Sequence, residues 1–137
     1  MKKIQNAAIS FIGYRVADIV YHCAPGFEFP EGKVSYTFNF QKNTEILSDK
    51  EIQENLTVNV YYPEDENDTK LKLSITMAGR FNCSEKWDDK WEANILAIMF
   101  PYLRGLVSMI TSNSGREPII LPTVNLAAMF PSKGKQD

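Results

Sequence analysis

Three features of the sequence predict an α+β fold, in which a four-stranded antiparallel sheet is followed by a long helix, an extended loop and a short last helix. Apolar and polar residues alternate along three separate stretches, as expected of half-buried antiparallel strands. A nearly uncharged helical stretch comes after all of them instead of alternating with them. Beyond that helix, Pro118 and Pro122 hold an apolar segment extended.

The first strand spans 9–23, with Ile12, Tyr14 and Val16 on one parity and Ile19, Tyr21 and Cys23 on the other. A bulge near Ala17 is expected to absorb that change of face. The stretch APGFEFPEGK at 24–33 contains Pro25, Gly26, Pro30 and Gly32, which end the strand and predict a crossover loop, yet it also carries Phe27 and Phe29. In the second strand Val34, Tyr36, Phe38 and Phe40 alternate with Lys33, Ser35, Thr37, Asn39 and Gln41. A polar connection is expected next, before Leu56, Val58, Val60 and Tyr62 alternate with Thr57, Asn59 and Tyr61. PEDENDT at 63–69 reads as a turn. In the fourth strand Leu71, Leu73, Ile75 and Met77 alternate with Lys70, Lys72, Ser74 and Thr76, and Gly79 predicts a bend before Phe81.

Asp88 and Asp89 precede the helix and read as cap and dipole partners at its start. Within the helix only Arg104 is charged between Ala93 and Thr111, and the apolar residues cover an arc of roughly 200°. One sheet cannot cover so wide an arc, so a second buried contact with another subunit is expected. Its residues would be Leu103, Gly105, Ser108 and Met109. Pro101 lies inside the helix or kinks it, 113–115 ends it, and 124–130 forms a two-turn helix that Pro131 stops. The organisation is one domain over 1–131 with a disordered tail at 132–137.

With 137 residues and 44% hydrophobic content, the chain can bury a real core. Its 15 basic and 17 acidic side chains are interspersed, giving a net charge of −2, so nucleic acid is not an expected partner. Cys23 and Cys83 are isolated and lack metal or disulfide spacing, which suits a reducing compartment. The start MKKIQNAAISFIGY is interrupted by Gln5, Asn6 and Ser10 and shows no cleavage site, so a cytoplasmic location is expected. No run approaches the roughly 18 apolar residues of a membrane span, and membrane insertion is not expected. His22, the only histidine, lies in a strand with no nucleophile or orienting motif beside it, so catalysis is not expected. No phosphate loop or ligand cluster appears, and no cofactor is expected. A hot-dog-type thioesterase is the enzyme alternative, but its helix precedes most of the strands, whereas here the helix follows them.

Two stretches carry a resemblance. RVADIVYHCAP at 15–25 is similar to the first strand of the SecB export-chaperone family. The more specific match is MFPYLRGLVSMITSNSGREPIILPTVNLAAMF at 99–130. There Phe100-Pro101-Tyr102, Arg104, Pro118, Leu121, Pro122, Val124-Asn125 and Phe130 stand in the family's order and spacing. The resemblance implies a tetramer built as a dimer of dimers that holds unfolded preproteins or other client polypeptides without nucleotide. By position, the client grooves would be lined by Phe27, Phe29, Val34, Tyr36, Phe38, Leu121, Val124, Leu126 and Phe130. Exposed, adaptable apolar side chains suit that role on physical grounds. Family members that deliver cargo to the motor SecA present an acidic outer sheet face. Asp18 fits that pattern, whereas His22, Lys72 and Ser74 depart from it, so weak SecA binding is expected. A second branch of the family serves as dedicated chaperones of antitoxins in toxin–antitoxin systems, and this chain is also compatible with that role.

Overall fold

In the computed structural model the described residues are 9–30, 32, 34–63 and 68–130. Gln5 and Asn6, the Lys33 end of the second strand pattern, the middle of the 63–69 turn, Pro131 and the tail lie outside them. Four strands come first: β1 (Ile9–Cys23), β2 (Thr37–Ser48), β3 (Glu51–Tyr62) and β4 (Leu71–Cys83). A single 3-10 turn, Asp89–Trp91, leads into α1 (Glu92–Ser112), and α2 (Leu126–Met129) follows. The strands form one antiparallel sheet in the order β1-β4-β3-β2, with the helices on one side, so the α+β fold read from the pattern is the fold observed.

In this order the chain must cross from β1 at one edge to β2 at the other. The crossover passes the ends of β4 and β3: the Ala24 N–H donates to the Lys70 carbonyl at 2.7 Å, and the Lys70 N–H donates to the Tyr62 carbonyl at 2.8 Å. β1 changes face through two irregularities, the expected one between Val16 and Asp18 and another between Phe11 and Gly13.

The expected polar connection between the second and third strands is not there. β2 and β3 continue through it as a long hairpin turning at Asp49 and Lys50, with Thr44 opposite Glu54. The alternation was hidden because Lys42, Thr44 and Glu54 take helix-side positions where apolar residues would show it. β2 also begins at Thr37, so Val34 and Tyr36 precede the ladder. Gly79 makes no bend, because β4 runs through it to Cys83. Gly79 instead lets α1 approach: a Cβ there would stand 3.1 Å from Met99 Sδ and Cε and from Phe81 Cε1.

α1 packs Ile95, Leu96, Met99, Leu103 and Val107 onto Leu56, Val58, Ile75, Met77 and Phe81, all fully buried. Each such side chain contributes about 1.5–3 kcal/mol by leaving water. Asp88 accepts the Lys90 N–H at 2.9 Å, so the expected cap serves the turn before α1. Pro101 sits within α1 on its exposed side, and Asn113 closes the helix ahead of Gly115, whose φ of +85° favours glycine. By length and composition Asp89–Ser112 is apolar enough to cross a membrane, which corrects the expectation that no stretch approaches this. Here one side of it lies on the sheet. α2 is a single turn, shorter than predicted, with Asn125 Oδ1 accepting the Ala128 N–H at 3.2 Å.

Candidate functional site

Half-buried aromatic rings collect where the crossover passes the end of the sheet. Tyr62, the last residue of β3, is their hub: its ring centroid lies 6.0 Å from Phe27, 5.4 Å from Phe29 and 6.0 Å from Tyr36. Phe27 meets Phe29 edge-on at 5.0 Å, and Tyr36 meets Phe38 at 6.4 Å. Arg116, from the loop after α1, closes one side. Its guanidinium carbon lies 4.0 Å from the Phe29 centroid and 5.4 Å from that of Tyr36, and Nη2 donates to the Tyr36 hydroxyl. Burial raises the pKa of Tyr36 above its ordinary value despite the lowering effect of Arg116, so the phenol stays neutral.

The loop after α1 is tied to the helix through its backbone. Thr111, fully buried, donates its hydroxyl to the Val107 carbonyl at 2.8 Å and accepts the Ile119 N–H at 2.7 Å. Ser108 donates to the Ile119 carbonyl at 3.2 Å. These bonds set an alternation in the loop: Ile119 and Leu121 point into the core, and Ile120 is 56% exposed. Farther on, a cleft of about 220 Å³ opens between α1 and the segment before α2, with Leu96, Phe100, Pro101, Val124 and Leu126 in its walls. Ile120 borders a second, shallower cleft of about 390 Å³ over Pro101, Arg104, Gly105 and Ser108.

Beneath the start of α1 lies a buried polar group. Glu54 on β3 is fully buried and Glu92 nearly so. Thr44 donates to Glu54 Oε1, and its hydroxyl lies 3.2 and 3.4 Å from the two Glu92 carboxylate oxygens. Lys42 bridges to Glu92 at 2.8 Å, and its ammonium lies 5.9 Å from the Phe130 ring, linking this group to the last turn. Burial, then the hydrogen bond and charge of Glu92, raise the pKa of Glu54 from 4.5 to about 8.

The structure brings together Phe27, Phe29, Tyr36 and Phe38 of the residues expected to bind clients, and leaves Val34 half-buried just before β2. Val124 borders the α1 cleft, and Phe130 is half-buried beside Lys42. Leu121 and Leu126 are core residues in the protomer, because the loop alternation and the α2 turn direct them inward. Leu103, expected at a subunit contact, is likewise buried on the sheet within the protomer. Ser108 spends its hydroxyl on the loop of its own protomer. Gly105 and Met109 do face outward, with nothing within 4 Å of the Gly105 Cβ position and Met109 55% exposed.

Sequence reasoning missed Tyr62 and Arg116. The place of Tyr62 at the end of a strand, next to an aromatic loop, was an available signal; nothing local marked Arg116. It also missed the apolar surface of β1, where Ile12, Tyr14, Val16, Ile19 and Val20 are exposed and Tyr14 joins Tyr102 of α1 at 5.0 Å. On the sheet face away from α1, His22 pairs with Lys72 and Val20 with Ser74, leaving Asp18 opposite Thr76.

Residues 22–137 match the family model described as preprotein translocase subunit SecB. An uncharacterized protein of Methanocaldococcus jannaschii is 32% identical over 138 aligned positions, spanning 95% of this chain and 87% of that relative. Among solved structures, the SecB-like chaperone of Mycobacterium tuberculosis, in complex with a peptide from the HigA1 antitoxin, is similar in fold. That match has a TM-score of 0.69 at 12% identity and covers 85% of this chain and 91% of that one.

Proposed function

The chain belongs to the SecB family, and from that premise we propose that it is a nucleotide-independent, cytoplasmic holding chaperone that binds unfolded client polypeptides along the aromatic crossover. The observation that carries this reading is the row of rings Phe27, Phe29, Tyr36 and Phe38, half-buried at the end of the sheet and not sealed into the core. Ring faces offer broad apolar contact with little sequence demand, which suits many different clients. The protomer is proposed to assemble as a homotetramer through exposed β1 and the outward side of α1, since contiguous apolar surface of this kind marks interaction sites.

The test is light scattering from a chemically denatured, apolar-rich client diluted into buffer with the purified protein and no nucleotide. Suppression near one binding site per client is expected, and Phe27→Ser is expected to weaken it. Phe27 is the cleaner probe, because Phe29 also packs against the core and under Arg116. Unabated aggregation with the native protein would refute the reading.

Within that reading, a dedicated antitoxin chaperone is favoured over a general export factor by the outer sheet face, where His22, Lys72 and Ser74 replace an acidic surface. The fold match to a chaperone solved with an antitoxin peptide adds support. Co-expression with an antitoxin encoded beside the gene should stabilise that antitoxin, and Phe27→Ser should remove the protection.

A further inference from the structure

We propose that Glu54 and Glu92 form a proton-operated latch on Phe130. While the two carboxyls share a proton, Lys42 lies over the Phe130 ring; when the proton leaves, Lys42 is drawn to the carboxylates and the ring opens to clients. Only that last step rests on the holding-chaperone reading.

The latch is a chain of contacts running from the core to the surface. Glu54 is fully buried on β3, and Glu92, in the first turn of α1, is nearly so. Thr44 joins them, because its hydroxyl donates to Glu54 Oε1 and lies 3.2 and 3.4 Å from the two Glu92 oxygens. Lys42, two residues before Thr44 on the same face of β2, bridges to Glu92 at 2.8 Å. Its ammonium also lies over the Phe130 ring, 5.9 Å from the centroid. The Lys42 side chain is partly exposed and has room to shift, whereas burial fixes both carboxyls. Among the described residues, Glu92 of α1 and Lys42 of β2 are the titratable or charged groups that face Glu54. Its cross-strand partner on β4, Gly79, has no side chain, and Ile52 and Leu56 flank it on its own strand.

Charge decides the direction. With Glu54 protonated, Glu92 and Lys42 balance, and Glu54 Oε2, which accepts from no donor, can carry the proton. Without it, two buried carboxylates face one ammonium. Attraction to a second carboxylate in a buried site exceeds the contact of an ammonium with a ring, so Lys42 moves inward and leaves Phe130. A ring face under an ammonium is closed to an apolar client side chain. Phe38, Phe40 and Lys42 follow one another on one face of β2, so the uncovered ring extends the aromatic row. The Glu54 pKa of about 8 brings the exchange within reach of solution pH, with Phe130 covered below it and open above it.

The direct readout is fluorine NMR of the assembled protein carrying 4-fluorophenylalanine at position 130, titrated from about pH 6.5 to 9. Its shift should follow one ionisation with a midpoint near 8, and should stay flat in Glu54→Gln, which is latched at every pH. The functional readout is anisotropy of a rhodamine-labelled peptide of Leu, Phe and Ser, N-acetylated and C-amidated so that no side chain or terminus on it titrates. The native protein should bind it about threefold more tightly at about pH 9 than at about pH 6.5, the range of one exposed cation contact with a ring. Glu54→Gln should keep the weaker value throughout, and Lys42→Ala the tighter one. If Glu54→Gln does not fold by circular dichroism, Lys42→Ala decides alone, and both readouts must lose their pH dependence in it. A flat fluorine shift in the native protein, or a titration that survives Glu54→Gln or Lys42→Ala, would overturn the latch. A titrating shift with one affinity at every pH, or an affinity that falls as pH rises, would also overturn it; each of these outcomes leaves the holding role intact. A shift that titrates as expected in a protein that neither binds the peptide nor suppresses client aggregation would overturn the holding reading and the latch's role toward clients.

Discussion

Glu54→Gln isolates the buried carboxyl beneath the start of α1. Glu54 is fully buried, with Oε1 held by Thr44 and Oε2 without a partner, beside the Glu92 carboxylate that Lys42 pairs. Its pKa of about 8 lies above the ordinary 4.5, chiefly through burial and then through Glu92. The native state therefore keeps a proton that the unfolded chain gives up. The associated stability is fully present below about pH 4.5 and is lost as pH rises through about 8. At about 1.4 kcal/mol per pH unit, the native protein should lose about 3 kcal/mol between pH 5.5 and 8.5 from this group alone. A glutamine is neutral at every pH and close in size to the protonated glutamate. Urea unfolding midpoints of the native and Glu54→Gln proteins should then be close at pH 5.5 and separate steadily toward pH 8.5, with the variant the more stable. Protomer concentration must be held constant, because assembly shifts apparent stability. Parallel curves across this range would refute the reasoning, since they would mean that Glu54 ionises alike in both states.

Thr111→Val should cost about 1–3 kcal/mol in urea unfolding and raise hydrogen exchange at Ile119, because the buried Ile119 N–H loses its acceptor while the volume is kept; unchanged exchange would show that the loop is held elsewhere. Gly105→Leu should shift the assembly toward smaller species by light scattering while the protomer stays folded by circular dichroism, since nothing in the protomer lies within 4 Å of the new Cβ; an unchanged mass would move the interface away from this side of α1. Titration with SecA at physiological salt should show weak binding that improves only modestly at low salt, given His22, Lys72 and Ser74 on the outer face; sub-micromolar binding would restore the general export role.

The fold was legible wherever the alternation was regular. Val58, Val60, Leu71, Leu73, Ile75 and Met77 declared β3 and β4 because each faces one continuous core. The hairpin between Phe40 and Leu56 was not legible, because its helix-side positions hold Lys42, Thr44 and Glu54, whose reason for burial is Glu92, far along the chain. The site divided along the same line. Phe27 and Phe29 stood out because rings are unusual in a Pro- and Gly-rich loop, and the structure gathers them. Leu121, Leu126 and Leu103 look the same in sequence as residues that face solvent. Only the Thr111 and Ser108 bonds to Ile119, and the rotation of α1 on the sheet, decide that they turn inward.

Whether clients lie along the aromatic crossover is decided by site-specific photo-crosslinking. A photoreactive phenylalanine analogue placed at Phe27, and another at Lys72 on the opposite face, would each be irradiated with an unfolded client bound. Efficient crosslinking is expected from position 27 and background from position 72; strong crosslinking at 72 with none at 27 would place clients elsewhere.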